Sequence, residues 1–336
     1  MNILLSTIGR RGYIADFFRK AGAAKIIGTT DRHGADTEFT VGLLSCDKKI
    51  ILPPISSPDY INSLLELCKK EQVNLLCSLF DQDSYTISKN LDEFRNIGVI
   101  PLLPSEKANE ICFDKVKTVQ FLNKIGLGSP ATFTTIESFN KSDIGFPVVV
   151  KPRNGFASLN MFFAKKEIEL TGCFDSELHI IQEKLSGIEF SFDILNDLHG
   201  KVISCVVKQK IKMRAGETDQ AITVKDDNLL EIAIRVGESM GDIGLCGPLD
   251  VDLFVTENQT YILEFNPRFG GGYPLSHAAG AKFPELMLDM AKGITPKSIV
   301  GQYQENLVMM KDVRAITISL DSISHDIKKF GTRANG

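Results

Sequence analysis

The chain is poor in the arrangements that build metal centres, disulfide frameworks and nucleophilic triads. Its five histidines fall at no H-E-x-x-H or similar ligand spacing. Its seven cysteines (46, 68, 77, 112, 173, 205 and 246) are an odd number with no C-x-x-C among them. Most sit beside apolar residues, as in LELCKK and LLCSLF, so buried reduced thiols are expected instead of a zinc site or disulfides. No apolar run approaches membrane-spanning length, and the start, MNILLSTIGRRGY, has no basic n-region or signal h-region before its arginines. A cytoplasmic protein with no membrane partner is therefore expected. Positive charge is not in excess either: the net charge is −4 and the pI about 5.8, which argues against a nucleic-acid partner. There is no internal repeat, low-complexity tract or long linker.

What is present is an ordinary globular composition, 43% hydrophobic and 24% charged, over 336 residues. That length calls for two or three packed domains. NILLS (2–6), AKIIGTTD, KKIILPP and VNLLCSLFDQD read as buried strands. YIADFFRKAG and SPDYINSLLELCKKEQ between them carry apolar residues at helical spacing. The alternation predicts an α/β fold that opens with a doubly wound parallel sheet over residues 1–105. Linker helices and a small α+β lobe are expected over 106–185. A second lobe with longer strands is expected over 186–336.

The stretch YILEFNPRFGGGYPLS (261–276) places Glu264, Asn266 and Arg268 at alternate positions of an apolar strand that runs into three glycines. On an extended chain these side chains point the same way. If VDLFV pairs with YILEF, Asp252 faces Glu264 with Asn266 beside them. Two carboxylates and an amide oxygen suit a hard cation such as Mg²⁺, and Arg268 then holds an anion next to it. FPVVVKPRNGFASLN brings Lys151 out of a buried strand into a small-residue loop at Gly155. Such a loop lets backbone N–H groups approach phosphate, although Gly155 equally suits a hairpin and Lys151 equally suits snorkelling to water. IIQEKLSGIEFSFDI ends a strand at Glu183–Leu185 with Glu189 following, an edge that can read a purine or serve as an ordinary loop.

Together these elements resemble the ATP-grasp superfamily, and within it the single-copy members similar to the large chain of carbamoyl phosphate synthase. The resemblance rests on FDKVKT (113–118), VVVKPRNGFAS (148–158), QEKLSGIEFSFD (182–193), KMRAGETDQA (212–221), GPLDVDLFV (247–255) and EFNPRFGGGYP (264–274), in the family's order. It implies two α+β lobes clasping ATP, preceded by a pre-ATP-grasp domain. By this resemblance Lys115 and Lys151 contact ATP phosphates under the 153–160 loop with Gly155, Ala157 and Ser158. Glu183 and Leu185 bracket adenine, and Glu189 takes the ribose. Asp252, Glu264 and Asn266 ligate Mg²⁺, with Mn²⁺ an allowed substitute, while Arg214 and Arg268 neutralise the transferring phosphoryl group. The implied reaction activates a small carboxylate as an acyl phosphate and joins it to an amine, releasing ADP and phosphate. The competing reading is an inactive ATP-binding sensor or assembly module of the same fold. A dinucleotide oxidoreductase is set aside, because STIGRRG has arginines where a glycine fingerprint is needed.

Two departures stand out. The phosphate loop keeps only Gly155 where the family often has several glycines. The chain also has one copy of the module, which does not point to making carbamoyl phosphate. For the acceptor, two strand ends of the first domain qualify: Arg10 and Arg11 for an anion, and Asp81 and Asp83 for an amine or hydroxyl. Tyr273 is a further candidate beyond the glycines, and a homodimer is an allowed assembly.

Overall fold

The computed structural model describes residues 1–31, 39–155, 161–214, 216–312 and 314–319, and the backbone of 327–329. The first unit contains β1 (Asn2–Ser6), α1 (Gly12–Lys20), β2 (Lys25–Thr30), β3 (Lys48–Ile51), α2 (Tyr60–Lys70), β4 (Leu75–Ser78), α3 (Asp81–Ser88), α4 (Leu91–Asn96) and β5 (Ile100–Pro101). All its strand pairs are parallel, in the order β3-β2-β1-β4-β5. Successive residues of β1 serve two cores, as a strand buried on both faces must. Ile3 and Leu5 pack with Phe18, while Leu4 packs with Tyr60, Leu64 and Phe94. The chain leaves β1 toward β2 and returns to β4 on the other side. The crevice where strand order reverses therefore lies between the ends of β1 and β4, and Arg11 donates there to the carbonyl of Leu79.

Helices α5 (Glu106–Phe113) and α6 (Lys115–Lys124) follow, each with a side-chain N-cap: Ser105 accepts from Ala108 N at 3.2 Å and Asp114 from Val116 N at 2.9 Å. A four-stranded antiparallel sheet comes next, built from β6 (Thr132–Phe133), β7 (Val148–Pro152), β8 (Phe162–Ala164) and β9 (His179–Glu183). Its helices α7 (Ile136–Asn140) and α8 (Glu167–Cys173) cover the face carrying Val148, Val150 and Ile181. Strand alternation turns Val149 and Lys151 to the opposite face.

The third sheet has the order β14-β13-β10-β11-β12-β15. Its members are β10 (Ile188–Asn196), β11 (Val202–Arg214), β12 (Glu217–Thr223), β13 (Gly247–Val255), β14 (Thr260–Asn266) and β15 (Val308–Met310), with α9 (Asp227–Gly241), α10 (Tyr273–Ala278) and α11 (Phe283–Ala291). Phe192, Val207, Val251 and Ile262 face α9 through Ala233, Val236 and Met240. The opposite face presents Asp193, Lys208, Asp250 and Asp252. A register shift between Asp252 and Leu253 lets Ile262 join that core on the same side as Phe265, so the polar alternation in β14 begins only at Glu264.

Chain order and spatial order part company at the C-terminal end. Phe283, Met287, Leu288 and Tyr303 share one core with Ile3, Leu5 and Phe18 of the first unit, and with Leu195 and Val206 of the third sheet. The backbone of β16 (Ile327–Lys329) pairs in parallel with β3, although these residues lie in the segment expected to belong to the second lobe. The first unit and the large sheet are thus joined by common apolar burial, whereas the small sheet has a core of its own.

Candidate active site

The β13–β14 pair sets the floor. Asp252 stands opposite Glu264 and Asp250 opposite Asn266, so three carboxylates and an amide share one face. Past the strand, the Arg268 N–H bonds back to Asn266 O at 2.8 Å. Its guanidinium donates Nη1 to Asp250 at 3.0 Å and Nε to Asp81 at 3.3 Å. Burial opposes a charge here, but Asp81 and Asp250 more than compensate and raise the Arg268 pKa. The glycines that follow are there for space: a Cβ on Gly270 would stand 2.5 Å from Asp250 Oδ1, and one on Gly272 would stand 3.0 Å from Lys208 Nζ. The turn can lie on its charged floor only without side chains.

Two lysines approach from above. Lys115 is buried at the start of α6 and donates to Gly155 O at 3.0 Å. Lys151 ends β7. Burial lowers both pKa values, that of Lys151 to about 8; Glu264 opposes the shift, and Lys115 pushes Lys151 further down. Two desolvated cations that share one carboxylate make a site that favours an anion. The base of the loop is clasped by Arg153, whose Nη2 meets Asp114 Oδ2 at 2.7 Å and whose carbonyl accepts from Lys115 N at 3.1 Å.

Among the other predicted positions, Glu183 accepts from Ala131 N at 3.1 Å, so its side chain ties β9 to the preceding segment, and Leu185 is half-buried just beyond. Glu189 meets Lys210 at 3.0 Å, and the same ammonium lies 2.7 Å from Asp252. Burial pushes Asp252 up to about 7 despite Lys210, with Asp250 and Glu264 adding to the rise. Ala157 and Ser158 lie outside the described residues.

The acceptor candidates separate. Asp81 lines a small cleft together with Asn109, Phe113, Lys115, Glu264 and Asn266. Asp83, two residues on, is turned inward. It accepts from Tyr60 at 2.5 Å and Ser78 at 2.7 Å, so its carboxylate serves the first domain's core and is not brought to the cleft. Tyr273 is likewise interior: its hydroxyl donates to Ala281 O at 3.0 Å and accepts from Phe283 N at 2.9 Å. Arg11 reaches the edge of the site, 3.8 Å from Glu217, whose other oxygen is 3.5 Å from Lys311; Arg10 is exposed beside it. Arg214 pairs with Asp219 at 2.5 Å and is half exposed at the tip of the β11–β12 hairpin.

Residues that sequence reasoning passed over include Asp250, Lys208 and Lys210. Lys208 is fully buried against Asp193, which also accepts from Ser276 at 2.5 Å. The signal was the spacing of Lys208 and Lys210, two apart on a mostly apolar strand, which puts both on one face; a register shift after Lys210 ends that alternation before Lys212.

The donor set fits Mg²⁺. Asp252, Glu264 and Asn266 offer only oxygens from adjoining positions, and Lys210 shares Asp252 with any cation. Among the described residues no three His, Cys, Asp or Glu side chains gather closely enough to hold a metal alone. Phosphate oxygens would complete the shell, as they commonly do for this ion.

Comparison with known proteins bears on the fold that carries these residues. The model of the ATP-grasp domain matches residues 112–272, and that of the PylC-like N-terminal domain matches residues 3–102. The carbamoyl phosphate synthase large chain of Saccharolobus solfataricus is 25% identical over 237 residues, which are 65% of this chain but 22% of that one. Among solved structures, the biotin carboxylase domain of the Hydrogenobacter thermophilus 2-oxoglutarate carboxylase superposes with a TM-score of 0.72 at 14% identity, covering 91% of this chain and 73% of that one. N5-carboxyaminoimidazole ribonucleotide synthetase from Thermotoga maritima gives 0.65 at 19% identity, covering 88% and 77%. These likenesses show a common fold. The two matched models lie consecutively and span the floor, the lysines and the strand ends described above: residues 112–272 form an ATP-grasp domain, with a PylC-like N-terminal domain ahead of it over residues 3–102.

Proposed function

We propose that the protein is an ATP-dependent ligase that joins a small carboxylate to an amine. The observation that carries this reading is the pair Lys115–Lys151, short of counter-charge and set near Glu264 and Asp252, with Asn266 in the same cleft as Lys115 and Arg268 tied to Asp81 and Asp250 beside it. Lys115 and Lys151 hold the terminal phosphates. A substrate carboxylate oxygen bonds to the γ-phosphorus as the bond to the β-bridging oxygen breaks, leaving ADP and an acyl phosphate. The neutral amine then bonds to the acyl carbon, the carbon–oxygen bond to phosphate breaks, and phosphate leaves with the electron pair and takes the surplus nitrogen proton. Mg²⁺, when held by Asp252, Glu264 and Asn266, supplies charge neutralisation to the phosphates. Such transfer needs positioning and fixed positive charge more than a covalent nucleophile, which suits a site without a catalytic Ser, Cys or His.

Arg268 enters already oriented. Among the described residues its Nε and Nη1 are engaged by Asp81, Asp250 and Phe269 O, so Nη2 is the edge it offers to the reacting anion. A site built from preset charges loses little reorganisation energy during the reaction. The names of the relatives, a carbamoyl phosphate synthase and a carboxyaminoimidazole ribonucleotide synthetase, support ATP-driven ligation in general without specifying a substrate here. The test is ADP release from Mg·ATP across a matrix of small carboxylates and amines, with Arg268→Ala and Glu264→Ala in parallel. One productive pair, an amide detected by mass spectrometry and loss in both variants supports the reading. Tight nucleotide binding with no turnover for any pair would favour a sensor.

A further inference from the structure

The cleft holds one group that the proposed nucleotide and metal sites do not use. Asp81 opens α3 at the end of β4 and is only 9% exposed. Its Oδ2 accepts from Arg268 Nε at 3.3 Å, whereas Oδ1 is buried and has no hydrogen-bond partner among the described residues. A buried carboxylate oxygen left without a donor is costly, and this one belongs to a residue that lines the cleft shared with Lys115, Glu264 and Asn266. The other polar wall group is already committed: Asn109 donates to Pro104 O at 3.0 Å and accepts from Ser84 at 3.1 Å. The rest of that wall is Cys112 and Phe113, with the Phe113 ring stacked on Tyr85 at 5.2 Å. The cleft lining beside Asp81 is thus apolar and partly aromatic, and Asp81 Oδ1 is a buried oxygen without a partner among the described residues.

We propose that this wall is the subsite for the amine substrate, that a primary amine arrives there as its ammonium ion, and that Asp81 Oδ1 receives it. The inference rests on the ligase reading above and adds the location of the nucleophile and the fate of its protons: the ammonium ion gives one proton to Asp81 Oδ1, the freed lone pair bonds to the acyl carbon, and the second nitrogen proton leaves with the departing phosphate. Asp81 is held by the same guanidinium that is offered to the reacting anion, so the amine and the acyl phosphate are brought to the same arginine. The Cys112–Phe113 wall takes the carbon end of the amine and limits its bulk. A nucleophile that arrives uncharged has no ammonium proton to give up and gains only the weaker hydrogen bond of a neutral donor from Asp81, and this separates the role from a merely structural one.

The experiment compares charged and uncharged nucleophiles. Purified protein with saturating Mg·ATP is given a panel of small mono- and dicarboxylic acids. Each is paired with methylamine, ethanolamine or glycine, which are cationic at their nitrogen at neutral pH, or with hydroxylamine, which is not. Amides are read by mass spectrometry and hydroxamates by their ferric complexes. Asp81→Asn keeps an oxygen for Arg268 Nε and removes the charge. It is expected to lower the ratio of amide to hydroxamate formation by about 10–100-fold, the worth of one charge-assisted hydrogen bond, with the KM for ATP within twofold. Equal loss for both kinds of nucleophile overturns the proposal and leaves Asp81 a positioning residue for Arg268. Failure of the wild-type protein to make any amide or hydroxamate overturns the ligase reading and this inference with it. If Asp81→Asn does not fold, Phe113→Trp decides: it should raise KM for ethanolamine and glycine more than for methylamine, and a uniform change refutes the subsite.

Discussion

Nucleotide affinity should fall as pH rises through 8, because of Lys151. In the free protein burial brings this ammonium down to about 8, whereas bound phosphate would return it to about 10 or above, the ordinary lysine range. About nine in ten free molecules carry the charge at pH 7 and about one in ten at pH 9, so binding at pH 9 must first restore a proton. The expected loss in affinity for Mg·ADP is about tenfold over those two units, equivalent to about 1.4 kcal/mol. Lys115, also lowered by burial, adds in the same direction. The fold itself responds oppositely. The unfolded lysine binds the proton more tightly than the folded one, so this group's contribution to the stability of the free protein rises with pH between about 8 and 10. Loss of affinity would therefore not be unfolding. Calorimetric titration at pH 7, 8 and 9 in two buffers of different ionisation enthalpy measures both the affinity and the proton uptake, which should approach one per nucleotide at pH 9. Lys151→Arg keeps its charge throughout, and its affinity should fall less. A wild-type affinity that is flat from pH 7 to 9, or a Lys151→Arg curve as steep as wild type, would refute the assignment of Lys151 to the phosphates.

Lys208→Met should destabilise the protein by about 3–5 kcal/mol in urea unfolding, because it strands the Asp193 carboxylate in the interior. Lys208→Met with Asp193→Leu should recover much of that loss, and a double variant worse than the single would refute the pairing. Gly270→Ala should abolish ADP release, since its methyl would meet Asp250 Oδ1; retained turnover would mean that the turn is free to move. Glu71, 6% exposed, is bonded by Lys25 at 2.8 Å and Lys48 at 2.5 Å, and these overcome the opposing effect of burial and hold its pKa down. Its contribution is present above the ordinary carboxylate range and is lost as pH falls through the lowered folded value. Glu71→Gln should accordingly cost about 1–2 kcal/mol at pH 7, with the half-exposed lysines discounted for screening, and progressively less in acid. A penalty unchanged at acid pH would show that the ion pairs are not its source.

What the sequence by itself determined is whatever depends on neighbours along the chain. Apolar strands and amphipathic helices in alternation were enough for the parallel sheet. Alternate polar residues at Glu264, Asn266 and Arg268, with Asp252 in the facing strand, were enough for the oxygen-rich floor, because a strand presents every second side chain to the same face. The tertiary structure alone decided which charges the site uses. Asp81 and Asp83 look alike in FDQDS, yet about 200° of helical rotation separates them: one meets Arg268 and the other lies against Tyr60 and Ser78. Tyr273 lies in the shared core and Arg214 in an ion pair with Asp219, partners that their neighbours along the chain do not announce. Lys208 and Lys210 gained their partners only when β11 paired with β10, which brought Asp193 and Glu189 beside them. A buried charge must be neutralised by whatever the fold places next to it. That neighbour can lie anywhere in the chain, so its identity is a property of the packing and not of local sequence.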